Sequence, residues 1–231
     1  MRTLGLIGGM TWHSTVDYYR LINAGIQARL GGSHSADLML LSIDFEPVEE
    51  MQGRGDWAGM GKLMGEWARR LEAAGAEGLV ICTNTMHRLA ESAAGAVSIP
   101  LIHIADATAG AIKEKGLATV GLLGTRYTME LDFYRGRLEK AHSLKVLIPD
   151  EPGRTSVHDI IYKELAQGRV SEESRRAYIE VIRELEGRGA QGVILGCTEI
   201  PLLIKAADSP IPVFDTTALH AAAAVDFALS R

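Results

Sequence analysis

The stretch "AGAEGLVICTN" (residues 74–84) places a short apolar run between a glycine and a polar cluster. "RGAQGVILGCT" (residues 188–198) repeats that layout 114 positions later. Apolar runs of this kind, bounded by glycine and followed by an amphipathic segment, are typical of buried parallel strands in an α/β fold. The two stretches therefore predict two related α/β halves within one chain.

Two further pairs of segments repeat in the same order. "TLGLIGGMT" (residues 3–11) matches "TVGLLGTRYT" (residues 119–128), and "IPLIHIADAT" (residues 99–108) matches "IPVFDTTAL" (residues 211–219). Any two βα units share a strand, a glycine and a helix, so some likeness arises without a repeat. The common order of three blocks favours a true repeat, and with it two pseudo-symmetric halves.

Short apolar runs alternate with longer amphipathic stretches along the whole chain, which predicts an α/β fold with parallel sheets. The predicted strands are Thr3–Ile7, Ala36–Ser42, Gly78–Cys82, Leu101–His103, Thr119–Leu123, Leu144–Ile148, Gly192–Leu195 and Val213–Phe214. The predicted helices include Ser14–Leu30, Trp57–Ala74, Asp106–Lys115, Tyr127–Ala141, Val157–Gln167, Ser171–Arg188 and Thr217–Leu229.

Composition excludes several classes of protein. The 231 residues carry a formal net charge of -5, which argues against a general nucleic-acid-binding protein. The apolar runs are too short to span a bilayer, and the N-terminus lacks the pattern of a signal peptide, so we expect a soluble cytoplasmic protein. Two cysteines 115 positions apart have neither metal-site spacing nor a disulfide framework.

The repeat brings particular loop residues into correspondence. Its 114-residue offset aligns Thr83 with Cys197, and it aligns Cys82 with Gly196. By the same offset Asn84 meets Thr198, and Thr85 meets Glu199. Ligands of open α/β sheets bind beyond the carboxyl ends of the strands, so two such halves would line a cleft with matched loops.

Cys197 is the strongest candidate for chemistry. Backbone N–H groups of a following helix would favour an anion there, lower the pKa of the thiol and populate the thiolate. The alternative is a buried core cysteine, which is the commoner role of a cysteine. Thr83, Asn84 and Thr85 suit a helix N-cap, and they also suit binding of a small carboxylate. His87, in the next turn, fits an orienting role and a capping role equally well.

No motif indicates a cofactor or a metal. The glycines near residues 8 and 124 do not form G-x-G-x-x-G, and G-x-x-x-x-G-K-[ST] and H-E-x-x-H are both missing from the sequence. The motifs therefore support neither a dinucleotide site, nor a nucleoside-triphosphate loop, nor a catalytic metal.

The motifs "CTNTMH" (residues 82–87) and "GCTEIP" (residues 196–201) resemble those of the aspartate/glutamate racemase family, as do "GLIGGMTWHSTVDYY" (residues 5–19) and "LLGTRYTMELDFYRGRL" (residues 122–138). The resemblance covers essentially the whole chain. It implies two pseudo-symmetric flavodoxin-like domains with parallel sheets and an active-site cleft between them. We expect a first domain of residues 1–103 plus 214–231 and a second domain of residues 104–213.

The resemblance also implies a mechanism. Family members racemise acidic amino acids without a cofactor, using one cysteine on each face of the α-carbon. Here Thr83 stands where the family has its first cysteine, because the family's C-N-T-x-H aligns with T-N-T-M-H. Cys82 could replace it only through a register shift, since adjacent strand side chains point to opposite faces. The implied enzyme is asymmetric: Cys197 acts on the L-enantiomer, and Thr83 supports proton delivery on the opposite face.

Several residues are expected to bind the substrate. Asn84, Thr85 and Thr198 would stabilise the charge that develops on the α-carboxylate. Gln52 is a candidate for binding the second carboxylate of the substrate. Arg126 and Lys163 could supply positive charge for it, and each equally suits a solvated helix or loop. Met10 would form an apolar wall beside the α-carbon. The complete expected set is Met10, Gln52, Asn84, Thr85, Thr125, Thr128, Lys163, Thr198 and Glu199, with Thr83 and Cys197 catalytic.

The expected partner is a small acidic amino acid, with no nucleic acid and no membrane, and a homodimer is compatible with the sequence. One alternative is a decarboxylase of the same superfamily, in which Cys197 is the sole proton donor. Another is an amino-acid-binding protein without turnover. The retained T-N-T-M-H loop favours the racemase over the first, and Cys197 in a polar loop argues against the second.

Overall fold

The two predicted sheets are present in the computed structural model, which describes residues 1–230. In that range the backbone forms eight strands in two parallel four-stranded sheets. The first sheet consists of β1 (Leu4–Gly8), β2 (Leu38–Ser42), β3 (Gly78–Ile81) and β4 (Leu101–Ile102). The second consists of β5 (Thr119–Gly124), β6 (Lys145–Leu147), β7 (Val193–Gly196) and β8 (Val213–Asp215). Each predicted strand overlaps one of these, so the α/β class is confirmed.

The sheets have the same strand order. It is β2-β1-β3-β4 in the first and β6-β5-β7-β8 in the second, so each strand of one sheet has a counterpart four strands later. Two compact units result: the first combines Met1–Ile104 with the chain from His220 onward, and the second is Ala105–Leu219. The repeat in the sequence is thus a repeat of sheet topology.

The first unit contains α1 (Trp12–Leu30), α2 (Glu46–Gly53), α3 (Trp57–Ala73), a 3-10 helix (Thr85–Leu89) and α4 (Ala90–Ala94). The second contains α6 (Arg126–Glu130), α7 (Asp132–His142), α8 (Glu151–Lys163), α9 (Glu172–Gly187), α10 (Ile200–Leu203) and 3-10 helices at Leu165–Gln167 and Ala206–Asp208. The divisions between units fall within α5 (Ile104–Glu114) and α11 (Thr216–Leu229).

The predicted boundary at residue 214 is wrong. Phe214 pairs with Ile194 in the second sheet, because residues 213–215 continue that sheet as its edge strand. The chain joins the first unit only from His220, inside α11. Arg231, the last residue of the predicted first-domain segment, lies outside the described residues.

Two helix predictions also need correction. The stretch predicted as one helix over 127–141 is two helices, because Leu131 is extended (φ -85, ψ 150) and separates α6 from α7. Helix α8 begins at Glu151, six residues before its predicted start. The Asp150 side chain caps it by accepting from the Gly153 N–H at 2.9 Å, and Pro152 in the first turn is compatible with a helix start.

Strand alternation builds an apolar core on each face of the first sheet. Leu79 and Ile81 of β3 pack in the cluster that includes Met60 and Met64 of α3. The intervening Val80 packs in the cluster on the other face, with residues of α1 and α11. Because successive side chains of a strand face opposite ways, both faces of this strand must be apolar, which explains its continuous apolar run.

The turn after β1 requires a glycine. Gly9 has φ +95, and a Cβ there would lie 2.3 Å from the Ile43 carbonyl oxygen. Its N–H donates to the Thr15 hydroxyl at 2.8 Å, which ties the turn to the first helix.

Among residues 1–230, no helix combines the length and apolar character needed to cross a membrane.

Candidate functional site

Thr83 and Cys197 occupy equivalent places at the carboxyl ends of their strands. Ile81 pairs with Ile7 of β1, and Leu195 pairs with Leu123, the equivalent residue of β5. Two residues beyond these come Thr83 in the first unit and Cys197 in the second. The register of the strands therefore gives the same alignment as the repeat in the sequence.

Cys82 and Thr83 differ in their surroundings. Cys82 is fully buried in the cluster that contains Val80 and Tyr18, and burial raises the pKa of its thiol above the ordinary value. Thr83 is partly exposed. The alternation of the strand thus continues one residue beyond β3, and it directs the thiol of Cys82 into the core.

His87 holds the Thr83 loop through two backbone contacts. Its Nδ1 lies 2.7 Å from the Thr83 carbonyl oxygen, and its Nε2 lies 3.3 Å from the Ile104 nitrogen. A carbonyl only accepts and a backbone N–H only donates, so Nδ1 carries the proton and Nε2 accepts. The neutral ring of His87 therefore joins the end of β3 to the start of α5.

Two more buried histidines surround His87. The ring centroid of His87 lies 4.7 Å from that of His103 and 5.4 Å from that of His220. The Nε2 of His220 donates to the Ile102 carbonyl at 2.7 Å, and its Nδ1 lies 2.7 Å from the Tyr18 hydroxyl. Burial lowers the pKa of His220 to about 4, so its ring is neutral at pH 7 and accepts from the tyrosine. His220 was not among the predicted site residues; its signal in the sequence is a lone histidine in an alanine-rich helix.

The other predicted residues of the first unit follow the carboxyl ends of β1, β2 and β3, and they differ in how far they are buried. Asn84 is buried and Thr85 is partly exposed at the start of the 3-10 helix. Met10 is buried in the apolar cluster that also contains Val48 of α2. Gln52 is buried one turn further along that helix. Met10 thus lies within a packed apolar cluster, and its role as a wall beside the α-carbon stays a prediction.

In the second unit, Cys197 is bound to a carboxylate. Its thiol donates to Oε2 of Glu199 at 2.8 Å, and the Thr198 hydroxyl donates to the same oxygen at 2.8 Å. All three residues are partly exposed, although the thiol itself is buried. The structure therefore brings a thiol, a hydroxyl and a carboxylate together directly after β7.

The predicted lowering of the Cys197 pKa is wrong. Burial, followed by the charge of Glu199 and its hydrogen bond with the thiol, raises the pKa of Cys197 well above the ordinary value. Backbone N–H groups of Thr198 and Glu199 act in the expected direction, but they are outweighed. The following helix, α10, has only four residues, which limits its dipole. Cys197 is consequently a protonated thiol at neutral pH.

Thr125 and Thr128 build the neighbouring loop. Thr125 caps α6 by accepting from the Thr128 N–H at 3.4 Å, and the two hydroxyl oxygens lie 3.3 Å apart. Both residues are buried. A Cβ at Gly196 would lie 3.3 Å from Cγ2 of Thr128, so this threonine packs against the residue before Cys197.

Lys163 differs from the other predicted residues. Its side chain is 72% exposed and pairs with Asp159 one turn earlier at 2.9 Å. Arg126 is less exposed; its Nη2 donates to the Thr155 hydroxyl at 2.8 Å, and its backbone N–H donates to Nδ1 of His158 at 3.3 Å. Thr155 and His158 were not predicted as site residues, because nothing in their spacing along the sequence connects them to Arg126.

Comparison with known proteins identifies the family of the chain. The sequence profile of the family described as Asp/Glu/Hydantoin racemase matches residues 7–224. The chain belongs to this family.

Individual members extend the comparison. A crystal structure from Yersinia pestis, provisionally described as an Asp/Glu racemase, is 54% identical, with a TM-score of 0.96 and complete coverage of both chains. An aspartate racemase homologue from Pyrococcus horikoshii is 34% identical, with a TM-score of 0.86 and complete coverage of both chains. A broad-specificity amino-acid racemase from Bacillus subtilis is 24% identical over 223 residues, which is 96% of each chain. The racemase family thus accounts for the fold over its whole described length.

Membership in the racemase family indicates an enzyme. Within residues 1–230, no group of three or more His, Cys, Asp or Glu side chains is placed to hold a metal ion. The polar side chains that follow β3 and β7 include a thiol, hydroxyls, an amide and a carboxylate.

Proposed function

We propose that the protein racemises aspartate, glutamate or both without a cofactor, with Cys197 as the group that removes the α-proton. The observation that carries this proposal is the hydrogen bond from the Cys197 thiol to Glu199, at the carboxyl end of β7. A thiol is a base only as the thiolate, and a carboxylate within 2.8 Å is in place to receive its proton. Family membership supports the reaction class.

The proposed reaction begins with the proton of the thiol. Cys197 transfers it to Glu199, and the resulting thiolate removes the α-proton of the L-enantiomer. The electron pair of the broken C–H bond then delocalises into the α-carboxylate of the substrate. Hydroxyls and amides from Asn84, Thr85 and Thr198 would stabilise that charge by hydrogen bonds.

Reprotonation completes the reaction on the other face of the substrate. We assign this step to Thr83, whose hydroxyl relays a proton from water to the α-carbon. Glu199 then releases its proton to solvent, which neutralises the hydroxide left behind, and Cys197 retains the proton taken from the substrate. The protons balance over one turnover, and no oxidant or cofactor is needed. The proposal requires Thr83 and Cys197 to approach opposite faces of one bound substrate.

The two faces are chemically unequal, and this gives the proposal its sharpest consequence. A hydroxyl is a much weaker base than a thiolate, so removal of the α-proton from the D-enantiomer is the slower direction. We expect faster α-proton exchange from L-aspartate or L-glutamate than from the D-enantiomers.

A decarboxylase is the second candidate, and one observation favours it. Cys197 has a raised pKa and is protonated at rest, which suits a sole proton donor. Such an enzyme would release carbon dioxide from a substituted malonate and would protonate the resulting carbanion from Cys197. Detection of carbon dioxide from a malonate, without α-proton exchange from amino acids, would favour this function over racemisation.

The deciding experiment is proton NMR of each enantiomer of aspartate and glutamate in heavy water. Loss of the α-proton signal should be faster for the L-enantiomer, and Cys197→Ser should abolish it. Thr83→Cys should raise exchange from the D-enantiomer, because it supplies a second thiol; Thr83→Ser, which keeps the hydroxyl, is the matched control. Equal exchange from both enantiomers in the wild type would contradict the asymmetric mechanism, and no exchange from any of them would contradict racemisation.

A further inference from the structure

Arg126 carries a positive charge that no carboxylate contacts directly within residues 1–230. It forms no salt bridge in that range, and its Nη2 donates to the neutral hydroxyl of Thr155 at 2.8 Å. The residue is only partly exposed. A partly buried cation without a carboxylate is unusual, because an arginine fork is most stable against two carboxylate oxygens.

The nearby acidic residues are already paired with other cations. Glu130, on the same helix as Arg126, accepts from Nε of Arg154 at 2.8 Å. Asp159 of α8 accepts from Nζ of Lys163 at 2.9 Å. Both pairs cancel internally, so the group retains about one net positive charge. The hydrogen bond from Lys163 lowers the pKa of Asp159 and the charge of Arg126 adds to this, but within residues 1–230 Arg126 has no carboxylate at salt-bridge distance.

His158 and Thr155 fix the position of Arg126. The ring of His158 accepts from the Arg126 backbone N–H at 3.3 Å, and the Thr155 hydroxyl accepts from the side chain. Burial, and then the charge of Arg126, lowers the pKa of His158, so the ring is neutral at pH 7 and suited to accept. Two contacts from one helix, α8, therefore orient the backbone and the guanidinium of Arg126 together.

Arg126 also stands at the end of the sheet that carries Cys197. It follows Gly124 by two residues, and Gly124 pairs with Gly196, the residue directly before Cys197. Thr128, on the same short helix as Arg126, packs against Gly196. Carboxyl ends of adjacent parallel strands form one ligand-binding edge, so the arginine and the thiol flank a common region of the second unit.

We propose that Arg126, held by Thr155 and His158, binds the side-chain carboxylate of the substrate and selects acidic amino acids over neutral ones. This inference rests on the proposed function for the identity of the substrate, and it assigns the charge recognition to Arg126 over Lys163. Lys163 is largely exposed and already has Asp159 as its partner, so it would lose an existing ion pair on binding.

L-Aspartate and L-asparagine provide the test, because they differ only in the group that Arg126 would bind. Calorimetric titration of the full-length protein should show tighter binding of L-aspartate. Arg126→Gln should weaken L-aspartate binding by roughly 10- to 100-fold, the value of a charge-assisted hydrogen-bonded pair, and change L-asparagine binding little. Arg126→Lys should recover part of the loss, since it restores the charge without the fork.

Matched variants separate this effect from a general loss of charge or of folding. Arg183→Gln removes an exposed guanidinium from α9 in the same unit and should leave both affinities unchanged. Thr155→Val keeps the side-chain shape, removes the acceptor and should give a smaller loss that is still selective for L-aspartate. Circular dichroism of each variant checks that the fold is intact.

Three results would overturn the inference: wild-type protein that binds both ligands equally, Arg126→Gln that weakens both equally, or Lys163→Gln that takes over the selective loss. The outcome for racemisation is distinguishable. If wild-type protein binds L-aspartate through Arg126 but exchanges no α-proton in heavy water, carboxylate recognition stands and racemisation fails. If exchange from L-aspartate is undiminished in Arg126→Gln, racemisation stands and this inference fails.

Discussion

The thiol of Cys197 and the carboxylate of Glu199 form a hydrogen-bonded pair, with 2.8 Å between Sγ and Oε2. In this pair the proton resides on sulfur, because burial and the carboxylate both raise the pKa of the thiol. The base therefore has to be generated during the reaction. Glu199 would then be part of the chemistry as the acceptor of that proton.

Replacing Glu199 with glutamine tests this relationship directly. The substitution removes the negative charge and the charged acceptor, so the pKa of Cys197 should fall. The pH midpoint for alkylation by iodoacetamide should move to lower pH, with Cys197→Ser as the blank. Exchange from L-aspartate should nevertheless drop by at least about 10-fold, because an amide cannot accept the proton. Glu186→Gln, an exposed change on α9, is the control; an unshifted midpoint in Glu199→Gln would contradict the pairing.

Cys82→Ser should damage the fold and spare the reaction. Cys82 is fully buried among apolar side chains. A serine hydroxyl there would lose its hydrogen bonds to water, and the apolar side chains around it could not replace them. We expect the free energy of unfolding to fall by about 1–3 kcal/mol in urea titrations. Exchange per folded molecule should match the wild type. Cys82→Ala, which adds no polar group, isolates the cost of the hydroxyl. Loss of exchange without loss of stability would instead place Cys82 in the chemistry.

The sequence predicted features that depend on local pattern. Apolar runs after glycine located the strands, and alternation along β3 placed Cys82 in the core. Features that depend on contacts between distant segments were not predictable. The pKa of Cys197 follows from the burial of its thiol and the orientation of Glu199, and Phe214 belongs to the second sheet because of its pairing with Ile194. The break at Leu131 is a backbone conformation that no glycine or proline marks.

His87 should act as a positioning residue for the Thr83 loop. His87→Leu removes both the donor to the Thr83 carbonyl and the acceptor for the Ile104 N–H. Loss of these two hydrogen bonds to the backbone should cost about 2 kcal/mol or more of unfolding free energy. His87→Asn retains a donor of similar placement to Nδ1 and should lose less stability and less activity. If both variants were equally impaired in urea titrations and in proton exchange, the contact with Thr83 would carry no weight.

His220 should make stability depend on pH in mildly acid solution. Burial lowers its pKa to about 4 in the folded protein, against about 6.5 in an unfolded chain. The unfolded chain therefore takes up this proton at higher pH, and stability is lost as pH falls from about 6.5 towards about 4. That interval corresponds to about 3 kcal/mol.

His220→Gln removes the titrating group and keeps an amide N–H that can donate to the Ile102 carbonyl, the acceptor of His220 at 2.7 Å. The variant is expected to be less stable at pH 7, because the contact with Tyr18 changes. The pH dependence is the decisive quantity: between pH 7 and pH 4, the wild type should lose about 3 kcal/mol more unfolding free energy than the variant. Urea titrations at half-unit intervals measure both curves. Parallel curves would show that the buried ring of His220 does not control this loss.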